Sequence, residues 1–155
     1  MGAGYRRTMS DSPVRFSHTG ICVTDLARSL RFYCEGLGFE TAEGYDLDDT
    51  MLPGLAEALE VPSPAALRSQ MIRLDGLRIE LLAFREPTPV GDAVTTRHHV
   101  GFTHLSLHVD DLDAAVDRAV AHGGTLLDDT RRNLGIDLVF LADPDGARVE
   151  LMARP

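Results

Sequence analysis

The sequence predicts an α+β protein made of two consecutive β-α-β-β-β modules. Three observations carry this reading. The segment Phe16-Ser-His18-Thr-Gly-Ile-Cys-Val-Thr-Asp25-Leu returns 86 residues later as Phe102-Thr-His104-Leu-Ser-Leu-His-Val-Asp-Asp111-Leu. The segment Asp75-Gly-Leu-Arg-Ile-Glu80-Leu returns 70 residues later as Asp145-Gly-Ala-Arg-Val-Glu150-Leu. After each of the two first segments the apolar spacing changes from alternation to helical spacing, in the same order. Repetition within one chain says more about architecture than any single motif.

The elements follow in order. Residues Phe16 to Thr24 alternate, with Ile21 and Val23 on one face and His18, Gly20 and Cys22 on the other. Asp25 is placed to cap a helix carrying Leu26, Leu30, Tyr33 and Leu37, which Gly36 and Gly38 end. A strand over about 39–45 follows. The first copy then exceeds the second, because His18 and Glu80 are 62 residues apart and His104 and Glu150 only 46. The surplus lies within 46–69, which contains the acidic residues Asp46, Asp48 and Asp49, a short helix near 52–59 and a break at Pro62-Ser-Pro64. Strands over 69–74 and 78–84 close the module around a tight Asp75-Gly76 turn. The second copy reads as strand 102–109, helix 111–122, then strands 125–130, 136–142 and 147–153. The expected organisation is a loose tail over 1–14 and one domain over 15–155. Within that domain, module 1 spans about 15–86, a Pro- and Gly-containing linker 87–100, and module 2 about 101–154.

Composition narrows the function. The chain has 155 residues, 44% hydrophobic, enough for one compact core. A net charge of −9 argues against a nucleic-acid partner. All 15 basic residues other than His are Arg, so a Schiff-base lysine and a phosphate-loop lysine are both excluded. Cys22 and Cys34 form no CxxC pair, and neither a signal peptide nor a membrane-length apolar run is present, so free thiols, no membrane partner and a cytoplasmic location are expected.

Period-two geometry then places the repeated polar residues. In 102–109, His104, Ser106 and His108 lie opposite Leu105, Leu107 and Val109. In 78–84, Arg78, Glu80, Leu82 and Phe84 lie opposite Ile79 and Leu81; in 147–152, Arg148, Glu150 and Met152 lie opposite Val149 and Leu151. His18, Glu80, His104 and Glu150 therefore all belong to the face that helices do not cover. A lone strand His or Glu is ordinarily a satisfied or solvated side chain; recurrence in both copies singles these four out. Two imidazoles and two carboxylates suit one borderline divalent ion, Zn, Ni, Co, Mn or Fe.

At these residues the chain resembles the vicinal oxygen chelate superfamily, which includes glyoxalase I, methylmalonyl-CoA epimerase, extradiol dioxygenases and the bleomycin and fosfomycin resistance proteins. The resemblance spans about Phe16 to Ala153. Its most specific pieces are HTGICVTDLARSLRFYCEGLGFE, RIELLAF, HLSLHVDDLDAAV and DPDGARVELM. It implies paired βαβββ modules forming a cupped mixed sheet, with His18, Glu80, His104 and Glu150 as metal ligands. It also implies a homodimer and a small-molecule carbonyl substrate. Glu80 fills the position that dioxygenase-like members leave without a ligand, which disfavours oxygenation. Bleomycin-type binding proteins lack the metal residues, whereas all four are present here.

The expected reaction is metal-dependent proton movement α to a carbonyl, through a metal-stabilised enolate. Glu80 and Glu150 are the catalytic candidates. The substrate is expected to be a small ketone (keto-sugar or cyclitol) or an acyl thioester. Alternatives are a glyoxalase I-like lactoylglutathione lyase, an antibiotic- or metabolite-binding resistance protein and, last, an extradiol dioxygenase. His108, Arg78, Arg148, Phe84, Met152 and Leu55 are candidate substrate contacts. The long first module offers Met51, Leu52, Leu55, Leu59, Met71 and Phe84 as a roof over the cavity. His98, His99 and His122 read as surface residues, and the Asp46–Asp49 loop as solvated rather than metal-binding.

Overall fold

The structure is a computed structural model that describes residues 13–154; Pro155 and most of the expected 1–14 tail lie outside it. Among the described residues, eight strands and three α-helices follow the anticipated order. In module 1 they are β1 (Thr19–Cys22), α1 (Leu26–Leu30), β2 (Glu40–Asp48), α2 (Leu55–Leu59), β3 (Ala66–Leu74) and β4 (Leu77–Glu86). In module 2 they are β5 (Leu105–Val109), α3 (Leu112–Ala121), β6 (Thr125–Asn133), β7 (Asp137–Ala142) and β8 (Arg148–Ala153).

Each module forms a four-stranded mixed sheet of identical topology, β1-β4-β3-β2 and β5-β8-β7-β6. The first strand pairs in parallel with the last, and the other pairings are antiparallel. The registers match: Gly20 lies opposite Glu80, and Ser106 opposite Glu150. Each strand Glu thus sits beside the residue two places after the module's His.

Several local features were legible in advance. Asp25 accepts from Arg28 N and Asp111 from Ala114 N, capping α1 and α3. Asp75 and Gly76 take φ 46° and 82°, as a two-residue turn joining antiparallel strands needs. Two details differ. The expected helix over 26–37 is α-helical only to Leu30 and continues as a π-helical turn, Arg31–Gly36, in which Leu37 N–H reaches the Phe32 carbonyl at 3.0 Å. That wider turn buries the consecutive Phe32 and Tyr33 completely. β1 and β5 are shorter than expected, so His18 and His104 stand just before their strands.

The modules meet through their helices around one shared core. Phe32, Tyr33, Ile72, Ile79 and Leu81 of the first pack with Val116, Ala119, Val139, Leu141, Val149 and Leu151 of the second, all fully buried or nearly so. Gly36 fits against the Ala119 backbone, and Arg118 Nε donates to Gly36 O at 2.7 Å. The Asp143–Gly146 turn of module 2 is also fastened to module 1. Tyr33 OH donates to Asp143 Oδ2 at 2.9 Å, and Thr24 and Arg28 donate to Asp145 Oδ1 at 2.5 Å. Burial lifts the Tyr33 hydroxyl pKa well above its usual value, with the Asp143 charge adding to it, and burial also raises Asp143.

Candidate metal centre

The alternation places the four side chains on the faces anticipated for them. Ile79, Leu81, Val149 and Leu151 are sealed into the core, while Glu80 and Glu150 occupy the opposite, open faces. Within each module the His and Glu meet. His18 Nε2 lies 3.1 Å from Glu80 Oε2, and His104 Nε2 lies 3.5 Å from Glu150 Oε2. The glutamates are the more enclosed partners, with side chains 19% and 13% exposed against 35% and 33% for the histidines.

Hydroxyl groups hold all four side chains. Ser17 Oγ contacts His18 Nδ1 at 3.0 Å, and Thr103 Oγ1 contacts His104 Nδ1 at 2.8 Å. Engaging Nδ1 leaves Nε2 turned toward the carboxylate, which fixes the ring as metal-binding histidines require. Ser69 Oγ donates to Glu80 Oε1 at 2.5 Å, and Ser106 Oγ to Glu150 Oε2 at 2.7 Å. The serines approach from opposite flanks, Ser69 from β3 and Ser106 from β5. Glu80 therefore has both oxygens occupied. Glu150 has both of its contacts on Oε2, and Oε1 has no partner among the described residues.

Oriented imidazoles beside supported carboxylates are a donor set that fits a borderline divalent ion. Each pair would supply two protein ligands to such an ion. Among the described residues no group of three or more His, Cys, Asp and Glu side chains is placed to hold one ion. One chain thus brings the four expected ligands together as two pairs, one per module, and not as a single cluster.

The expected substrate contacts fall in different places. Arg78 is ion-paired with Glu43. His108 is exposed on the open face, opposite Met152. Phe84 and Leu55 are half-buried, Phe84 opposite the fully buried Leu67. The surplus segment is a braced structure. Asp49 accepts from Ala56 N and Ala65 N at 3.1 and 2.7 Å, Asp48 from Thr50 and Met51, and Asp46 from Arg68 and Arg85. Those acids brace the fold. Hydrogen bonds from Arg85 to Asp46 and from Thr50 to Asp48 hold both carboxyls below the ordinary range.

Arg148 has a different setting. Its guanidinium stacks on the Phe140 ring at 3.9 Å, and Phe140 stands edge-on to His104 with centroids 5.3 Å apart. Arg148 lines a cavity of about 330 Å³ where β1, β4, β5 and β8 begin, together with Gly20, Tyr33, Arg97, Phe102 and His104. Of the six expected substrate contacts, Arg148 alone borders that cavity. Burial, and then the charge of Arg97, lower its pKa.

Sequence reasoning missed Ser17, Thr103, Ser69 and Arg97. The first two carried a signal, since a hydroxyl residue precedes the His in both copies.

Comparison with known proteins agrees with this architecture. The chain is 30% identical over 149 residues to a lactoylglutathione lyase of Pseudomonas putida, covering 88% of this chain and 83% of that protein. It is 29% identical over 150 residues to a 2-epi-5-epi-valiolone epimerase of an Actinomyces species, covering 92% and 80%. Among solved structures, a glyoxalase family protein from Bacillus cereus superposes with TM-score 0.77 at 19% identity, covering 95% of this chain and 98% of that one. Glyoxalase I from Zea mays superposes with TM-score 0.65 at 20% identity, covering 88% and 43%. Residues 15–151 match the family described as the Glyoxalase/Bleomycin resistance protein/Dioxygenase superfamily, and the chain belongs to that superfamily.

Proposed function

We propose that this protein is a divalent-metal-dependent epimerase or isomerase that moves a proton on the carbon α to a carbonyl. The observation that carries this reading is the matched pair of supported His–Glu couples, His18–Glu80 and His104–Glu150. A bound divalent ion would polarise the substrate carbonyl and stabilise negative charge on its oxygen. His18 and His104 would hold that ion through Nε2, with Nδ1 tied back by Ser17 and Thr103.

The two carboxylates divide the remaining work. Glu150 Oε1 has no partner among the described residues, so Glu150 is the group assigned to take the α-proton. Glu80, from the other module, would enter an epimerisation protonated and give its own proton to the opposite face while Glu150 keeps the one it took, both carboxyls then resetting by proton exchange with solvent. The substrate proposed is a small ketone, as in a keto-sugar or cyclitol, or an acyl thioester. A second copy of the chain supplies the missing pair: His18 and Glu80 of one protomer face His104 and Glu150 of its partner. The second reading is a lactoylglutathione lyase, favoured by the Pseudomonas putida relative.

The test is exchange in D2O with candidate ketones, thioesters and the hemithioacetal of methylglyoxal and glutathione. Deuterium entering α to the carbonyl, lost on chelation and in Glu150→Gln, supports proton transfer. Tight binding of a candidate with no exchange in any of them overturns the enzyme assignment in favour of a binding protein.

A further inference from the structure

The cavity beside His104 contains two cations and no acid among its lining residues, in a chain of net charge −9. Nearly all the other arginines whose contacts are described have acceptors. Arg28, Arg68, Arg73, Arg78, Arg85, Arg131 and Arg154 are ion-paired, and Arg118 and Arg132 donate to carbonyls. Arg148 is unlike them. Its Nε is sealed from solvent, and among the described residues it has no hydrogen-bond partner and its guanidinium no ion pair. A guanidinium presents five donors in a planar fork; the sealed Nε is out of a ligand's reach, but the terminal Nη groups of Arg148 border the cavity with no hydrogen bond or ion pair among the described residues, and those are the donors an anion would engage. Phe140 fixes the plane of that fork by stacking, and Arg97 brings a second guanidinium to the same space while using only one donor, on Val94 O.

We propose that Arg148 and Arg97 form an oxyanion subsite that binds a phosphate or carboxylate group of the substrate, next to the His104–Glu150 pair. Planar bidentate donation is how arginine selects such groups. Arg148 is two strand positions from Glu150 on the same face, so an anion seated there places the attached carbon skeleton against the carboxylate that takes the proton. The subsite narrows the proposed substrate class to an anionic ketone or thioester and rests on that reading only for the identity of its ligand. Anion binding by the two arginines stands apart from it.

The experiment is titration of the full chain with inorganic phosphate, methylphosphonate and acetate, zinc-loaded and after chelation. Chelation removes any direct contact between anion and metal. Binding is expected to persist after chelation, to weaken about tenfold or more in Arg148→Ala and several-fold in Arg97→Ala, and to be partly retained in Arg148→Lys. The stronger of the phosphonate and the acetate identifies the group. Phosphate binding that is absent after chelation, or unchanged in Arg148→Ala, overturns the subsite. So does weaker self-association in Arg148→Ala without altered anion binding, which would make Arg148 an interface residue. Exchange in D2O on a neutral ketone alone, with no gain from an added phosphate or carboxylate, overturns it while leaving the proposed reaction intact. Anion binding without exchange on any ketone leaves the subsite and removes the reaction.

Discussion

Replacing Ser69 and Ser106 by alanine makes a matched pair of perturbations, because each removes one hydroxyl donor from one glutamate. The surroundings decide the difference. Ser69 is 3% exposed and donates to Glu80 Oε1 at 2.5 Å. Water has little access to replace it, so Ser69→Ala leaves a half-buried carboxylate oxygen without its donor. A hydrogen bond to a charged group is worth about 1.5–3 kcal/mol, or roughly 10–100-fold in metal affinity. Ser106 is exposed and its bond to Glu150 is longer, 2.7 Å. Water can take its place, and the expected loss is under about 1 kcal/mol, less than about fivefold. The assay is competition for zinc against a chromophoric chelator, with the melting curve of the metal-free protein as a folding control. Equal losses for the two variants, or a larger loss in Ser106→Ala, would refute the claim that enclosure of the Ser69 bond controls the metal site.

Three further outcomes follow from the same structure. Mixing a His18→Ala/Glu80→Gln chain with a His104→Ala/Glu150→Gln chain is expected to restore zinc binding and turnover, since one of the two sites in a mixed dimer is then intact; no restoration in a mixture shown to form mixed dimers would contradict a site shared between protomers. In Gly124→Ala the new Cβ would lie 2.6 Å from Phe32 Cε2 and 3.0 Å from the Ala119 carbonyl, both fixed in the core. An overpacking cost of about 1–3 kcal/mol should lower the melting temperature by roughly 2–12 °C; an unchanged melting temperature would contradict the tight fit of the modules. Burial raises the Cys22 and Cys34 thiols, with Asp145 and Glu35 adding to it respectively, so both should alkylate more slowly at neutral pH than free cysteine and accelerate as pH rises beyond 9. Rates equal to free cysteine at pH 7 would count against that environment.

Much of the architecture was legible because a duplicated chain states its pattern twice. The faces of Glu80 and Glu150 followed from alternation alone, and the registers Gly20–Glu80 and Ser106–Glu150 agree with it. Ser69 was not legible, because its counterpart opposite Met152 in the second sheet is Leu138, so the repeat carries no echo of it. Arg97 lies in the linker, where no period exists, and only the folded path of that linker brings it to the cavity. The π-helical turn was hidden for another reason: Leu26, Leu30, Tyr33 and Leu37 keep helical spacing, so the apolar pattern does not reveal the wider hydrogen bonding that goes with burying Phe32 beside Tyr33. Separation of the ligands into two pairs depends on how the sheets are carried by helices packed between modules, which residue types do not encode.

The most direct measurement is the anomalous scattering of zinc in crystals of the metal-loaded protein. The account predicts one ion per site at about 2.0–2.2 Å from two imidazole Nε2 atoms and two carboxylate oxygens. Those ligands should be His18 and Glu80 of one protomer and His104 and Glu150 of its partner. An ion touching one pair alone, or ions bound only elsewhere on the chain, would contradict it.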